Sequence, residues 1–367
     1  MSSRTALQAL AAAALVTAVV SPLPARQEPV GPAGPPTWSR CLDQPASWYG
    51  SAEAVRIAGQ VLLYQRRTGG WPKNIDMART LSAADRGIIE REKAEPDATI
   101  DNGATTTQLR FLGRVYAATR TPRFREAFNA GFDYLLAAQY PNGGWPQYYP
   151  LRDDYSRRIT FNDNAMVRAL EVLRDAAGGE APFAWVDARR RARAVDAVTR
   201  GTALMLKAQI RVAGRLTAWC AQHDETTLAP AGARTYEHPS LSGSESVGIL
   251  RFLMSIRHPP ADVVASVDAG VDWLRGAQIT GLRVERRADK ALQGGFDRVV
   301  VRDPAAPPIW ARFYEIGTNR PIFSGRDGVV RFDMALIEHE RRVNYAWYGY
   351  WPADLLARDY GAWRGAR

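Results

Sequence analysis

The chain has 367 residues, 46% of them hydrophobic, which is ample material for one large buried core or two ordinary ones. Its net charge of +10 points to an anionic partner, but no nucleic-acid motif accompanies it. The four histidines (His223, His238, His258 and His339) lack zinc-ligand spacing, and two cysteines are too few for a disulfide scaffold.

Residues 1–25 have the layout of a secretory signal peptide. Arg4 is followed by the apolar stretch Ala6 to Val20, then by Pro22, Pro24 and the small residue Ala25. The stretch is short for a membrane span, although an N-terminal anchor is the competing reading. No later segment is long and apolar enough to span a bilayer, so a secreted or periplasmic protein without a membrane span in its mature form is expected. Residues 26–45 form a Pro/Gly-rich leader, expected to be flexible. Residues 46–367 are expected to form one catalytic domain. Cys41 and Cys220 fit either one disulfide after export or two buried thiols.

From residue 62 onward the chain repeats. Leu62, Leu63 and Gln65 before Gly69-Gly70-Trp71-Pro72 match Leu135, Leu136 and Gln139 before Gly143-Gly144-Trp145-Pro146, and Trp219 follows at the same spacing of 74 residues. A worn fourth copy is read at Trp273 to Gln278, followed by Gly281 and Leu282. Between these points, Asp101-Asn102 and Asp163-Asn164 each open an apolar run with helical spacing, and Ser242 to Leu253 has the same form without the aspartate. The unit is a helix, a Gly-Gly-Trp-Pro loop, a long excursion and a second helix. Such hairpins cannot bury their apolar faces alone and must stack. The expected fold is mainly α, an incomplete α/α toroid of helical hairpins with long loops gathered at one end. Few helix formers lie between Gly294 and Val330, where short strands or extended loops are expected before a final helix.

Asp101 and Asp163 carry the sharpest chemical signal. Carboxylate and amide oxygens at two equivalent helix starts suit Ca²⁺, which takes six to eight oxygen ligands. Both aspartates could equally cap helices, but a single cap residue does not require Asp-Asn twice. Arg234, beside Tyr236 and Glu237, and Arg320 and Arg326, in a Gly- and Pro-punctuated loop, are suited to carboxylates because a planar guanidinium can bind both oxygens. Lys73 would add a further cation. Trp71 and Trp145 are expected in the core rather than against sugar, and the aromatic tail from Tyr345 to Trp351 is expected to pack.

Gly69 to Asn74, Thr99 to Thr105, Gly143 to Tyr148, Ile159 to Met166, Ala233 to Ser240, Tyr314 to Ser324 and Trp347 to Trp351 resemble, in order, the polysaccharide lyase family 10 pectate lyases. The resemblance spans roughly residues 50 to 352. It implies an α/α toroid and calcium-assisted β-elimination of polygalacturonate. It further implies that Asp101, Asn102 and Asp163 handle calcium and substrate carboxylate, and that Arg234 abstracts the proton. Arg320 or Arg326 would be a second substrate arginine, and Lys73 a substrate contact. Burial and calcium would then have to push the Arg234 pKa down. A glycoside hydrolase using Asp101 and Asp163 as acid and base, and a non-catalytic binder of acidic polysaccharide, are the alternatives. Nothing in the sequence suggests an obligate assembly, and a monomer is expected.

Overall fold

In the computed structural model, residues 36–367 are described. The expected signal peptide lies outside them, as does half of the expected leader, residues 26–35. The part of that leader within them is packed, with Trp38 edge-on to Phe111.

Eight helices carry the architecture: α1 (Ala52–Tyr64), α2 (Ala83–Arg91), α3 (Thr106–Thr119), α4 (Pro122–Ala138), α5 (Ala165–Gly178), α6 (Ala188–Ala208), α7 (Glu245–Met254) and α8 (Ala261–Gly276). Local chemistry sets their ends. Arg120 closes α3 in the left-handed conformation, and Pro122 opens α4 at its first position, where no N–H is needed. Asp187 caps α6 by accepting from the Arg190 N–H. In α6 the buried residues Ala194, Ala197, Gly201, Leu204, Met205 and Ala208 recur at helical spacing and define one inward stripe.

The helices pair as α3 with α4, α5 with α6, and α7 with α8. Across pairs, α3 packs on α5 and α5 on α7, while α4 packs on α6 and α6 on α8; α1 meets both α3 and α4. Two layers of helices result, mainly α with short strands and, among the described residues, no closed sheet. Among the described residues, no helix is long and apolar enough to cross a membrane.

The repeat is written in hydrogen bonds. The indole N–H groups of Trp71, Trp145 and Trp219 donate to Val61, Leu135 and Met205 carbonyls at 2.8, 2.8 and 2.7 Å. Gln65, Gln139 and Gln209 each bridge their own loop to a carbonyl of the next outer helix, at Ala127, Ala197 and Ser266. That helix must have a glycine where the indole lies beneath it. A methyl group on Gly131 would come within 2.5 Å of the Trp71 ring. Trp71 and Trp145 are fully buried, as expected of core residues.

The helix end of the fourth copy lies where the sequence places it, at Trp273 to Gln278, and its loop tryptophan is Trp310. Trp310 donates to the Leu274 carbonyl at 2.8 Å, and the Ile279 N–H donates to Ile309 just as Arg66 donates to Gly70 and Tyr140 to Gly144. A hairpin of strands Leu282–Ala288 and Phe296–Arg302 is inserted ahead of Trp310 and stretches the spacing. The short strands expected between residues 294 and 330 are present, and α9 (His339–Asn344) and α10 (Tyr360–Gly365) follow them. Tyr345 and Trp347 pack with Phe313 and Phe323 in a second apolar cluster. Cys41 and Cys220 are buried free thiols, which settles the two readings against a disulfide. Burial pushes the Cys41 thiol up to about 12.

Candidate functional site

The excursions after each tryptophan return to it. Thr99, Thr160 and Ser242 donate their N–H groups to the carbonyls of Trp71, Trp145 and Trp219 at 3.1, 3.0 and 2.8 Å. From Thr99 and Thr160 the chain enters tight 3-10 turns, Asp101–Gly103 and Asn162–Asn164, which pack against each other. Asn102, Asp163 and Asn164 have φ of 50°, 48° and 60°. Asn and Asp enter this left-handed region at lower cost than other side chains bearing a Cβ. The recurrence of Asp-Asn therefore has a backbone cause as well as a chemical one. Its register also differs from the expected one: Asp101 corresponds to Asn162, and Asn102 to Asp163. The two carboxylates thus come from adjacent positions of related turns rather than from one repeated position.

Asp101 is 3% exposed. Its Oδ2 meets the Lys73 ammonium, and its buried Oδ1 has no hydrogen-bond partner. Burial pulls the Lys73 pKa down, but the Asp101 hydrogen bond and charge more than offset it, and the net shift is upward. Asn102 is exposed and donates to Asn74 Oδ1 at 2.9 Å. Asp163 accepts from Arg312 on Oδ1 at 3.1 Å and from Asn162 Nδ2 on Oδ2 at 2.8 Å. Arg312 is buried and also meets Glu245 Oε1, while Glu245 Oε2 accepts from Ser242 Oγ.

Arg234 lies in the excursion after Trp219, as a fork on Glu237: Nε donates to Oε2 at 2.8 Å and a terminal nitrogen to Oε1. Tyr345 donates its hydroxyl to the same Oε1 at 2.7 Å. Burial pulls the Arg234 pKa down, but the Glu237 hydrogen bonds and charge outweigh it, so the net shift is upward. That is opposite to the direction expected from the sequence. Arg234 and Arg312 lie 5.6 and 5.0 Å from the centre of the same Tyr345 ring, which joins Arg234 to the Asp163 turn through Arg312.

The other two arginines are farther out. Arg326 is 64% exposed and pairs with Glu340 at 3.1 Å, on a loop whose Gly328 adjoins the Thr235 carbonyl. Arg320 lies 3.5 Å over the Phe332 ring and has no carboxylate at ion-pair distance among the described residues. Beside Lys73 and Asn102 a cavity of about 600 Å³ opens, lined also by Arg110, Arg168 and Glu171.

A profile of the family described as pectic acid lyase matches residues 65–356. The chain belongs to that family. It is similar to a family 10 polysaccharide lyase from Cellvibrio cellulosa at 37% identity and a TM-score of 0.73, over 88% of this chain and 97% of that one. A mutant of that lyase in complex with trigalacturonic acid aligns equally well, over 85% of this chain and 93% of the other. Comparison with curated proteins found no match. The chain is thus a polysaccharide lyase, which sets aside the hydrolase and the non-catalytic binder.

Two side chains of the candidate site escaped the sequence reading. Arg312 stands two residues after Trp310, just as Lys73 stands two residues after Trp71; reading Trp310 as the fourth tryptophan would have exposed it. Glu245 occupies the helix start that lacks an aspartate. Asp101 pairs with Lys73, Glu237 pairs with Arg234, and Asp163 and Glu245 share Arg312. Among the described residues, no three His, Cys, Asp or Glu side chains converge as a metal site.

Proposed function

We propose that the chain is a calcium-dependent pectate lyase, built on an incomplete α/α toroid, that cleaves polygalacturonate by β-elimination and releases unsaturated oligogalacturonates. The observation that carries the calcium requirement is the orphaned Oδ1 of Asp101, a buried carboxylate oxygen with no hydrogen-bond partner. A uronate carboxylate brought against that oxygen would be repelled unless a cation stood between them. The donors available are hard oxygens, which fit calcium, and two carboxylates leave most of its shell to water and substrate. Asp101 and Asp163 would hold the ion. When bound, calcium supplies Lewis acidity to the substrate carboxylate, where charge develops.

The remaining chemistry falls to the chain's own side chains. Arg234 in its neutral form takes the proton from C5, the electrons form the C4–C5 double bond, and the O4 leaving group departs with a proton taken from water. Lys73 is partly exposed on a flexible stem, so it can leave Asp101 and meet the sugar carboxylate. Asn102 offers its exposed amide to the sugar, and Arg320 and Arg326 extend recognition along the chain. A guanidinium whose ordinary pKa is roughly 12 or higher, raised further by Glu237, is a poor base near neutrality, so turnover should favour alkaline pH. We also propose export directed by residues 1–25, with 26–45 as leader and 46–367 as the catalytic domain.

The test is incubation with polygalacturonate, following the ultraviolet absorbance of a conjugated alkene-carboxylate. The absorbance should rise with calcium and stop rising on chelation by EDTA. A steady signal in both conditions, with reducing ends still appearing, would contradict elimination.

A further inference from the structure

Arg312 and Lys73 occupy matching places after their tryptophans, yet their surroundings differ. Lys73 has 30% of its side chain exposed and a single carboxylate partner. Arg312 is buried, and its guanidinium meets Glu245 Oε1, Asp163 Oδ1 at 3.1 Å and Asn162 Oδ1 at 3.3 Å. It also lies 5.0 Å from the centre of the Tyr345 ring. Glu245 is 2% exposed, and its second oxygen is held by Ser242.

Without Glu245, Asp163 would be the only carboxylate on this buried guanidinium. A buried cation with a single acidic partner is held tightly, because separating the two leaves an uncompensated charge. It would then hold the Asp163 oxygen it already touches more tightly, and its uncompensated charge would repel any second cation arriving there. With Glu245 present, Arg312 is already neutralised, and Asp163 keeps its charge for something else.

We propose that Glu245 is a positioning residue that, by compensating Arg312, keeps Asp163 available to a divalent cation and sets how tightly that cation is held. The proposal rests on the calcium-dependent reading above. It makes the ion's affinity a property of stacked repeats: Lys73 and Asp101 belong to the first, Asp163 to the second, Glu245 to the third and Arg312 to the fourth. Stacking errors between hairpins would therefore register as weaker cation binding.

The test is calorimetric titration of calcium chloride into the full chain without substrate, for the wild type, Glu245→Gln and the double variant Glu245→Gln/Arg312→Met. The single variant should bind calcium at least about tenfold more weakly, the effect of one uncompensated neighbouring charge under partial screening. Its lyase turnover should recover as calcium is raised, and Glu245→Asp should restore much of the affinity. The double variant, which removes both charges, should return to within about threefold of the wild type, as double-mutant coupling requires. A purely structural Glu245 would lower the melting temperature without this pattern. A folded single variant with wild-type affinity, or a double variant as weak as the single, overturns the proposal. Should the single variant not fold, the double alone decides: near-wild-type affinity supports the proposal, and lost affinity overturns it. A wild type that forms unsaturated product yet takes up no calcium overturns this proposal and leaves elimination standing; failure to form that product sinks the lyase reading itself.

Discussion

Replacing Glu237 with glutamine should move the pH dependence of turnover in a direction that identifies the base. Glu237 meets two nitrogens of Arg234 and raises its pKa. A unit charge about 4 Å away is worth about 1 kcal/mol in water and about 4 kcal/mol at the effective dielectric of a protein surface. The Arg234 side chain is 42% exposed and that of Glu237 8%, so the interaction belongs between these limits. At about 1.4 kcal/mol per pH unit, removing the carboxylate should lower the Arg234 pKa by about one to two units. The base is the deprotonated form, so its activity rises as pH climbs through that pKa. Lowering the pKa must therefore carry the rising limb to lower pH. Initial rates of unsaturated product formation at saturating calcium, measured across the alkaline range for both proteins, read this directly. A limb that stays in place, or moves to higher pH, in a folded Glu237→Gln variant would refute proton abstraction by Arg234.

Three further substitutions probe the same geometry. Arg234→Lys should lose most turnover while keeping affinity for oligogalacturonate, measured by calorimetry beside kinetics, because the cation survives but its planar fork does not. Gly248→Ala would place a methyl group 2.0 Å from Asn164 Oδ1 and push on the turn that holds Asp163. Its kcat should fall about tenfold or more while the thermal midpoint moves little, since small displacements of catalytic groups are costly. Gly131→Ala drives a methyl group into the Trp71 ring at 2.5 Å. Overpacking should outweigh the gain in helix propensity and lower stability by about 1–2 kcal/mol in denaturant titrations, with activity retained below the transition.

Much of this was legible in the sequence because repeats leave marks at fixed spacing. The tryptophan loops, the helical pairs and the two turns bearing Asp101 and Asp163 could be read directly. Of the fourth repeat only the helix end, Trp273 to Gln278, could be read, because the hairpin from Leu282 to Arg302 displaces its loop tryptophan, Trp310, from the expected interval. Arg312 went with it, since only its place after Trp310 distinguishes it from other arginines. The one-residue offset between the two turns is set by backbone conformation, namely φ of 50° at Asn102 and 48° at Asp163, which identity matching does not see. Glu245 resembles an ordinary acidic residue in the first turn of a helix, and only its burial against Arg312 gives it a role. The direction of the Arg234 shift also depended on a contact, since Glu237 lies three residues away and the fork between them is a matter of loop shape.

Calcium titration of the wild type beside Asp101→Asn and Asp163→Asn tests the claim on which the mechanism stands. One ion per chain should bind the wild type, and either substitution should abolish binding while leaving the fold intact by circular dichroism. Undiminished uptake by both variants would place the ion elsewhere and contradict the account.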